Sequence, residues 1–267
     1  MALELSVVIP AYNEAEAVRG GKVRSVLDWL ATQPFQGEVL VIDYGSTDAT
    51  AALAAAAGAR VITIPHKGKA SALMAGIGAA HGQWLLFSDM DQATPISDAP
   101  RLLAHRADAE CIIGSRGLVR PGAPPGRYLL SGGHVILRRL LTGLKITDTQ
   151  CGFKLIAAEP ARNVMAALYV YAPDAARVLK TPSVTSGFDV EFLFVAKRLG
   201  YRISEVPVTW DYQQTRRVNL VRDAFRGVWD LLRLRLHQLR GRYPAARRAD
   251  TATAPAGKST PAGTAPS

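Results

Sequence analysis

Short apolar runs alternate with helix-like segments along the first half of the chain. Each run is four to six residues long and ends at a polar residue or a turn. The runs predicted as strands cover residues 5–10, 39–43, 61–64, 84–88 and 111–114. This alternation predicts a doubly wound α/β fold with a mostly parallel sheet, whose ligands bind at the carboxyl ends of the strands.

Helical segments are predicted between and after these strands. They cover residues 23–30, a stretch from a cap at Ser46 or Thr47 to Ala57, and residues 69–80, 128–141 and 189–199. A loop rich in proline and glycine follows Gly117, and one more strand is predicted over 202–208. We therefore expect a catalytic domain over residues 1–215.

The chain after residue 215 has a different pattern. From Val221 it predicts an amphipathic helix, within an expected unit over 216–243, and then a disordered tail over 244–267 that is rich in Ala, Thr, Pro and Gly. The apolar stripe of the helix consists of Val221, Phe225, Val228, Leu232, Leu236 and Leu239, and its basic stripe of Arg222, Arg226, Arg233 and Arg240. Such a helix either lies on an anionic membrane, with Trp229 at the interface, or packs its apolar side on the catalytic domain.

Composition narrows the class of protein. With 48% hydrophobic and 20% charged residues, the chain has the balance of an ordinary globular protein. Its two cysteines argue against a disulfide framework and fit a reducing cytoplasm, and no secretory signal or membrane-spanning apolar run is expected. The net charge of +10 favours polyanionic partners, but no base-stacking motif supports nucleic acid.

Asp89 and Asp91 emerge together where the fourth predicted strand ends. A hard cation such as Mg²⁺ or Mn²⁺ takes oxygen ligands and is shared with the phosphates of a nucleotide. Acidic pairs at strand ends are also common as solvated turn residues or helix caps. The doublet alone therefore leaves both a metal site and a turn open.

Two other loops have residues that suit a nucleotide. Asp43 ends the second strand before Gly45, where a carboxylate can accept from a base N–H, although a strand-to-helix turn with an N-cap explains this segment better when it is taken alone. Lys67 and Lys69 precede a helix, where their ammonium groups and the helix dipole suit a diphosphate, but a solvated basic loop is the alternative. The sequence has neither a P-loop nor the glycine fingerprint of dinucleotide-binding enzymes.

Seven segments occur together in the order typical of family 2 glycosyltransferases. They are residues 6–14, 41–48, 67–69, 89–91, 114–116, 148–154 and 188–191. The chain resembles this family over about residues 4–240, and within it the dolichyl-phosphate β-glucosyltransferases and related polyprenyl-phosphate sugar synthases. The resemblance implies a GT-A (Rossmann-like) fold, a nucleotide-diphosphate sugar donor, Mg²⁺ or Mn²⁺, and inversion at the anomeric carbon.

The resemblance also implies roles for individual residues. The nucleotide-sugar site would consist of Pro10, Tyr12, Glu14, Asp43, Lys67, Lys69 and Asp89, and the metal site of Asp89, Asp91 and Gln92. Arg116 and Arg127 match positions that grip an acceptor phosphate. Asp189 matches the base of other members and would here orient the acceptor, although a carboxylate at a helix N-terminus also has a structural explanation.

The implied function is transfer of a hexose, foremost glucose from UDP-glucose, onto a polyprenyl or dolichyl phosphate. The protein would then be cytoplasmic and peripheral, on the inner face of an anionic membrane. One alternative is transfer to a soluble or polysaccharide acceptor with Asp189 or Glu191 as base. Another is an inactive nucleotide-sugar binding protein, because Tyr44 stands where the family usually has a second acid. Residues 167–187 also form a longer segment than in the close relatives, and this difference concerns the loop on the acceptor side.

Overall fold

The computed structural model describes residues 3–117, 125–172, 186–211 and 220–245. The strands in these ranges are β1 (Leu5–Ala11), β2 (Gly37–Asp43), β3 (Arg60–Thr63), β4 (Trp84–Phe87), β5 (Cys111–Ser115), β6 (Lys154–Ala157) and β7 (Ile203–Pro207). The helices are α1 (Ala15–Arg19), α2 (Lys22–Ala31), α3 (Thr50–Ala56), α4 (Lys69–Ala79), α5 (Ala99–Leu103), α6 (Pro125–Thr142), α7 (Ala158–Ala166), α8 (Ser186–Arg198) and α9 (Leu220–Leu239). A short 3-10 turn, Ile96–Asp98, leads into α5.

These strands form one mixed sheet in the order β3-β2-β1-β4-β6-β5-β7. Strand β1 pairs in parallel with both β2 and β4, whereas β6 runs antiparallel between β4 and β5. The chain winds outward from β1 in both directions, so a crevice opens at the carboxyl ends of β1 and β4. The predicted doubly wound, mostly parallel α/β sheet is confirmed.

The sheet is covered on both faces. All residues of β1 are buried, and their side chains alternate between two cores because neighbouring residues of a strand point to opposite faces. Val8 packs in the core under α4, α7 and α8, while Val7 and Ile9 pack in the core under α2 and α5. This burial fixes the strands whose ends carry the polar residues.

Several elements differ from the expectations. Helix α3 begins at Thr50 after Ala49, so the cap predicted at Ser46 or Thr47 is wrong. The Ser46 hydroxyl instead accepts a hydrogen bond from the Asn13 N–H at 2.9 Å, and the Thr47 N–H donates to Asn13 Oδ1 at 2.8 Å. Strand β6 and helices α1 and α7 are not predicted by the apolar pattern. The strand and helix predicted for 202–208 and 189–199 are confirmed as β7 and α8. Most of the expected long segment over 167–187 and the tail after residue 245 lie outside the described residues.

Candidate active site

The candidate site lies at the carboxyl ends of β1, β2 and β4. Asp43 is the last residue of β2, and Asp89 follows β4 by two residues. Antiparallel β6 adds its first residue, Lys154, directly opposite Phe87 at the end of β4. A small cavity at this edge is lined by Pro10, Lys69, Asp89, Gly152, Lys154 and Asp189 among others.

Asp89 and Lys69 form an ion pair at the centre of the site. The Lys69 ammonium, at the start of α4, donates a short hydrogen bond to Asp89 Oδ1, and the two side chains are 37% and 40% exposed. Burial by itself would raise the pKa of Asp89, but Lys69 outweighs it and holds that pKa below the usual value. The same pair raises the pKa of Lys69 against the effect of burial. Asp89 is therefore ionised and able to bind a cation.

Gly152 determines where the Asp89 carboxylate can lie. A Cβ atom on Gly152 would be 2.1 Å from Asp89 Oδ2 and 2.7 Å from Asp89 Cγ. The turn before β6 therefore approaches the acidic doublet more closely than any side chain would allow. This contact explains a glycine in the 148–154 segment.

The residues at the end of β4 fit a hydrated divalent cation. Asp91 Oδ1 accepts only the backbone N–H of Ala93, at 3.0 Å, among the described residues. Gln92 has a positive φ of 53°, and its buried Oε1 has no hydrogen-bond partner in the described part of the chain. No group of three or more His, Cys, Asp or Glu forms a metal cluster there. Two carboxylates suit Mg²⁺ or Mn²⁺, which is usually completed by water and substrate phosphates.

The expected nucleoside residues gather at the ends of β1 and β2. Asp43 is 1% exposed, and its Oδ1 accepts the N–H groups of Gly45 and Ser46 at 2.9 and 2.8 Å. Its Oδ2 is buried with no partner among the described residues. A carboxylate oxygen without a partner can accept from an N–H of a base.

The other residues predicted for the donor lie in β1 and in the loops at this end of the sheet. Pro10 lies in β1 against the cavity, and the half-buried Tyr12 follows the strand. Glu14 directly precedes α1, and its N–H donates to the Thr50 hydroxyl at 2.8 Å. Lys67 is half-buried in the loop before α4. The sheet therefore brings the residues that the sequence predicts for the donor to one edge.

Arg116 follows β5 on the other side of the site. Its Nε and Nη2 donate to Asp148 at 2.7 and 2.8 Å, and its Cζ is 5.8 Å from the centre of the Trp210 ring. Glu205 in turn holds this segment, since it accepts the N–H groups of Thr147 and Asp148 at 2.9 and 2.8 Å. The bidentate pair of Arg116 and Asp148 fixes the direction of the guanidinium. Arg127 lies in the first turn of α6, and its side chain lies outside the described part of the structure.

Asp189 lies in the first turn of α8 and is tied to a buried lysine. Lys154 Nζ is 2.6 Å from Asp189 Oδ1 and 2.6 Å from the Cys151 carbonyl oxygen, and the Lys154 side chain is 4% exposed. A buried ammonium needs such partners, because desolvation of an unpaired charge is costly. Asp189 is therefore held as the counter-ion of Lys154.

Glu191 is fully committed to the fold. It is 1% exposed, and its two carboxylate oxygens accept the N–H groups of Tyr169, Val170 and Tyr171 at 2.7–2.9 Å. The Tyr243 hydroxyl also donates to it at 2.7 Å. The sequence admits Glu191 as a base, but these contacts make it the anchor of the 169–171 turn instead.

The stripe predicted to be apolar on the last helix is largely exposed. Leu232, Leu236 and Leu239 are 47%, 46% and 70% exposed, and Trp229 is 69% exposed. The helix packs on the protein through other residues, chiefly Leu231 and Leu234. The alternative that the predicted stripe packs on the catalytic domain is therefore wrong for these three leucines. Side chains 220–226 lie outside the described residues, and no described helix has the length and apolarity to span a bilayer.

Sequence reasoning does not assign roles to Lys154, Asp148 or the His66 side chain. Lys154 could have been found only by placing β6 antiparallel beside β4. The motif segment 148–154 was a signal, since it holds both Asp148 and Lys154.

Comparison with known proteins agrees with the family resemblance. Residues 6–164 match the sequence model of the family described as "Glycosyl transferase family 2". The chain is 34% identical to the dolichyl-phosphate beta-glucosyltransferase of Drosophila melanogaster, over 78% of this chain and 67% of that protein. It is 29% identical to the Dictyostelium discoideum enzyme of the same name, over 89% of this chain and 75% of that protein.

A solved structure shares the fold. The glucosyl-3-phosphoglycerate synthase of Mycobacterium tuberculosis, crystallised with Mn²⁺ and UDP-glucose, superposes with a TM-score of 0.60 at 20% identity. The match covers 87% of this chain and 79% of that one. The expected GT-A fold is confirmed by this likeness and by the sheet order.

Proposed function

Because this chain belongs to glycosyl transferase family 2, we propose that it transfers glucose from UDP-glucose to a polyprenyl or dolichyl phosphate at a membrane surface. The protein is a glycosyltransferase by its family. We propose the identity of the donor, the identity of the acceptor and the location at a membrane. The names of the relatives support the acceptor and the sugar, and the UDP-glucose complex of the structural neighbour supports the donor.

On the donor side, the diphosphate would bind at the site around Asp89. Asp89, Asp91 and Gln92 would hold Mg²⁺ or Mn²⁺, which supplies positive charge for the leaving diphosphate when bound. Lys69 and Lys67 add two further cations at the start of α4, where the helix dipole also favours an anion. Asp43 accepts from the nucleoside, and Pro10, Tyr12 and Glu14 line its pocket.

The reaction forms one bond and breaks one. An oxygen of the acceptor phosphate attacks the anomeric carbon, and the bond from that carbon to the diphosphate oxygen breaks. UDP leaves with the electron pair, and the configuration at the carbon is inverted. Because the acceptor oxygen is already anionic, no proton has to be removed, and catalysis consists mostly of alignment and charge neutralisation.

The pairing of Asp189 with Lys154 is the main observation in favour of a phosphate acceptor over a hydroxyl acceptor. A hydroxyl acceptor needs a base within hydrogen-bond reach, whereas Asp189 Oδ1 is 2.6 Å from the Lys154 ammonium. Glu191, the other candidate base, is buried and accepts four hydrogen bonds. Arg116 offers a guanidinium whose direction is fixed by Asp148, which suits a phosphate. Arg127 is proposed to assist it.

Exposed apolar side chains on α6 and α9 support the proposed binding to a membrane. Helices α6 and α9 pack together and expose Ile136, Leu140, Trp229, Leu232, Leu236 and Leu239, which we term the α6–α9 surface. Arg233 on α9 and Arg240, directly after the helix, are also exposed. Exposed apolar side chains with arginines fit the headgroup region of an anionic leaflet. We accordingly propose that residues 1–215 form the catalytic domain and 216–243 the helix that binds the cytoplasmic leaflet.

A labelled-donor assay tests the reaction. Radiolabelled UDP-glucose and other sugar nucleotides are incubated with dolichyl phosphate, with and without Mn²⁺, and label is counted in the organic phase. We expect lipid-linked label only with UDP-glucose, Mn²⁺ and the lipid phosphate together. Release of UDP with a soluble hydroxyl acceptor alone would favour the alternative acceptor. Calorimetry that shows donor binding without any transfer would favour a binding protein.

Vesicle sedimentation tests the membrane separately. The double substitution Leu232→Ser and Leu236→Ser should weaken binding to anionic vesicles at least about tenfold, because each leucine places buried apolar area in the headgroup region. Wild-type binding to zwitterionic vesicles is measured as a reference. The difference from anionic vesicles gives the contribution of the arginine charges. Unchanged vesicle binding by a folded double variant would contradict the assignment of the α6–α9 surface.

A further inference from the structure

Three aromatic rings lie together where β1, β2 and β3 end, beside the proposed nucleoside pocket. The Tyr12 and His66 centroids are 4.3 Å apart, those of Tyr12 and Tyr44 5.4 Å, and those of Tyr44 and His66 5.7 Å. The interplanar angles are 29°, 21° and 10° in the same order. Such nearly parallel rings are in stacking contact. Tyr44 therefore supplies an aromatic face at the position where the family usually has a second carboxylate.

The backbone places His66 in this cluster by a close approach at Gly45. Gly45 has a φ of +89°, and a Cβ atom there would be 3.0 Å from His66 Cβ and 3.1 Å from His66 N. Glycine accepts both the left-handed conformation and the contact. The loop after β3 can therefore press against the end of β2.

The hydrogen bonds of His66 determine what its outer nitrogen can do. His66 Nδ1 is 2.9 Å from the Tyr44 carbonyl oxygen, which can only accept, so Nδ1 has the proton. In the neutral imidazole this leaves Nε2 as an acceptor. His66 Nε2 is buried and has no hydrogen-bond partner in the described ranges of the chain. Asp43 Oδ2, at the end of β2, is a second buried acceptor without a hydrogen-bond partner among the described residues.

We propose that His66 Nε2 accepts a hydrogen bond from the nucleoside of the sugar-nucleotide donor. With Asp43 Oδ2 it selects a nucleoside that presents two donor groups to this edge of the sheet. Uridine has such groups in its base N3–H and its ribose hydroxyls. A ligand that donates to both acceptors removes the cost of two unsatisfied buried groups. This assignment rests on the proposed function, since it takes the ligand to be a nucleotide.

Calorimetric titration in Mn²⁺ can isolate the His66 contact. The ligands are UDP, 3-methyl-UDP, 2′-deoxy-UDP and 3′-deoxy-UDP, each of the last three lacking one donor group. The proteins are wild type, His66→Phe and the control His105→Phe, which makes the same change at an exposed histidine after α5. Phenylalanine keeps a ring beside Tyr12 but also removes the Nδ1 bond to Tyr44. That structural loss affects all four ligands equally, so only differences between ligands are diagnostic.

We expect wild type to bind at least one modified ligand about tenfold more weakly than UDP, as one hydrogen bond predicts. The difference that belongs to the group donating to His66 Nε2 should disappear in His66→Phe and persist in His105→Phe. The analogue whose difference disappears shows whether the base or the ribose donates to His66 Nε2. Identical analogue differences in wild type and His66→Phe, or no differences in wild type, would overturn the assignment alone. Failure of wild type to bind UDP at all would overturn the proposed function as well.

Discussion

Replacing Gly152 by alanine should abolish most transfer activity while leaving the fold intact. The new Cβ atom would be 2.1 Å from Asp89 Oδ2 and 2.9 Å from Asp89 Oδ1. Gly152 is not among the described glycines with a positive φ, so its backbone accepts alanine. The strain therefore falls on the Asp89 carboxylate, which is 40% exposed and can rotate away.

The size of the effect follows from the contact distance. Non-bonded heavy atoms prefer about 3.5 Å, so the carboxylate has to move by roughly 1 to 1.5 Å. A displacement of about 1 Å in a catalytic group can cost about 100-fold in rate, which corresponds to roughly 2.7 kcal/mol in the barrier. The stability cost is smaller, about 1 kcal/mol or less, because the broken Lys69–Asp89 pair is more than one-third exposed.

The assay compares kcat for dolichyl-phosphate-dependent transfer at saturating Mn²⁺ with the free energy of unfolding in urea. Gly78→Ala is the matched control, since a Cβ at this exposed position of α4 has no neighbour within 4 Å. It should keep its kcat and gain about 0.5–1 kcal/mol in stability from helix propensity. A folded Gly152→Ala enzyme with kcat within twofold of wild type would refute the role of the Asp89 position.

Three further predictions concern the frame around the site. Gly76→Ala, in α4, should lower the free energy of unfolding by about 1–3 kcal/mol, because its Cβ would be 2.3 Å from Val8 Cγ1 in the core; stability equal to the Gly78 control would contradict this packing. Tyr243→Phe removes a donor from the buried Glu191 and should cost about 1–2 kcal/mol in urea unfolding, and a change below about 0.5 kcal/mol would show that the hydroxyl is not needed there. Burial raises the pKa of Glu38, but its hydrogen bonds outweigh this and leave the pKa below 4.5. The groups that donate to Glu38 are Ser6, Arg60 and the backbone N–H of His81. Because the unfolded chain then binds the proton more tightly, Glu38 stabilises the fold above about pH 4.5 and loses this effect as the pH falls through its folded pKa. Glu38→Gln should therefore lose less stability than wild type between pH 7 and pH 3, and equal losses would count against the role of Glu38.

The strands that hold the donor residues are predictable because they are buried on both faces. The runs of β1 and β2 are almost wholly apolar, and the site residues Pro10 and Asp43 lie in their last two positions. The positions of Asp43 and Asp89 at one sheet edge follow directly from parallel pairing.

The acceptor side is less predictable because it depends on contacts between distant segments. Strand β6 has only four residues and runs antiparallel, so no periodicity brings Lys154 to Asp189. The stack of Tyr12, Tyr44 and His66 depends on the loop geometry at Gly45, which no local pattern specifies. The exposure of the α9 stripe likewise depends on which side of the helix faces α8.

A comparison of two variants in one transfer assay tests the account most directly. Asp89→Asn with Asp91→Asn removes both carboxylates of the doublet, whereas Asp189→Asn keeps the oxygen that accepts from Lys154. With dolichyl phosphate as acceptor, we expect the first variant to lose at least about 1,000-fold in kcat/KM and the second less than about tenfold, since charge at the diphosphate is essential and a base is not. Near wild-type transfer by the double variant would contradict the essential role of the two carboxylates. A loss of about 1,000-fold in Asp189→Asn would contradict the claim that no base is needed.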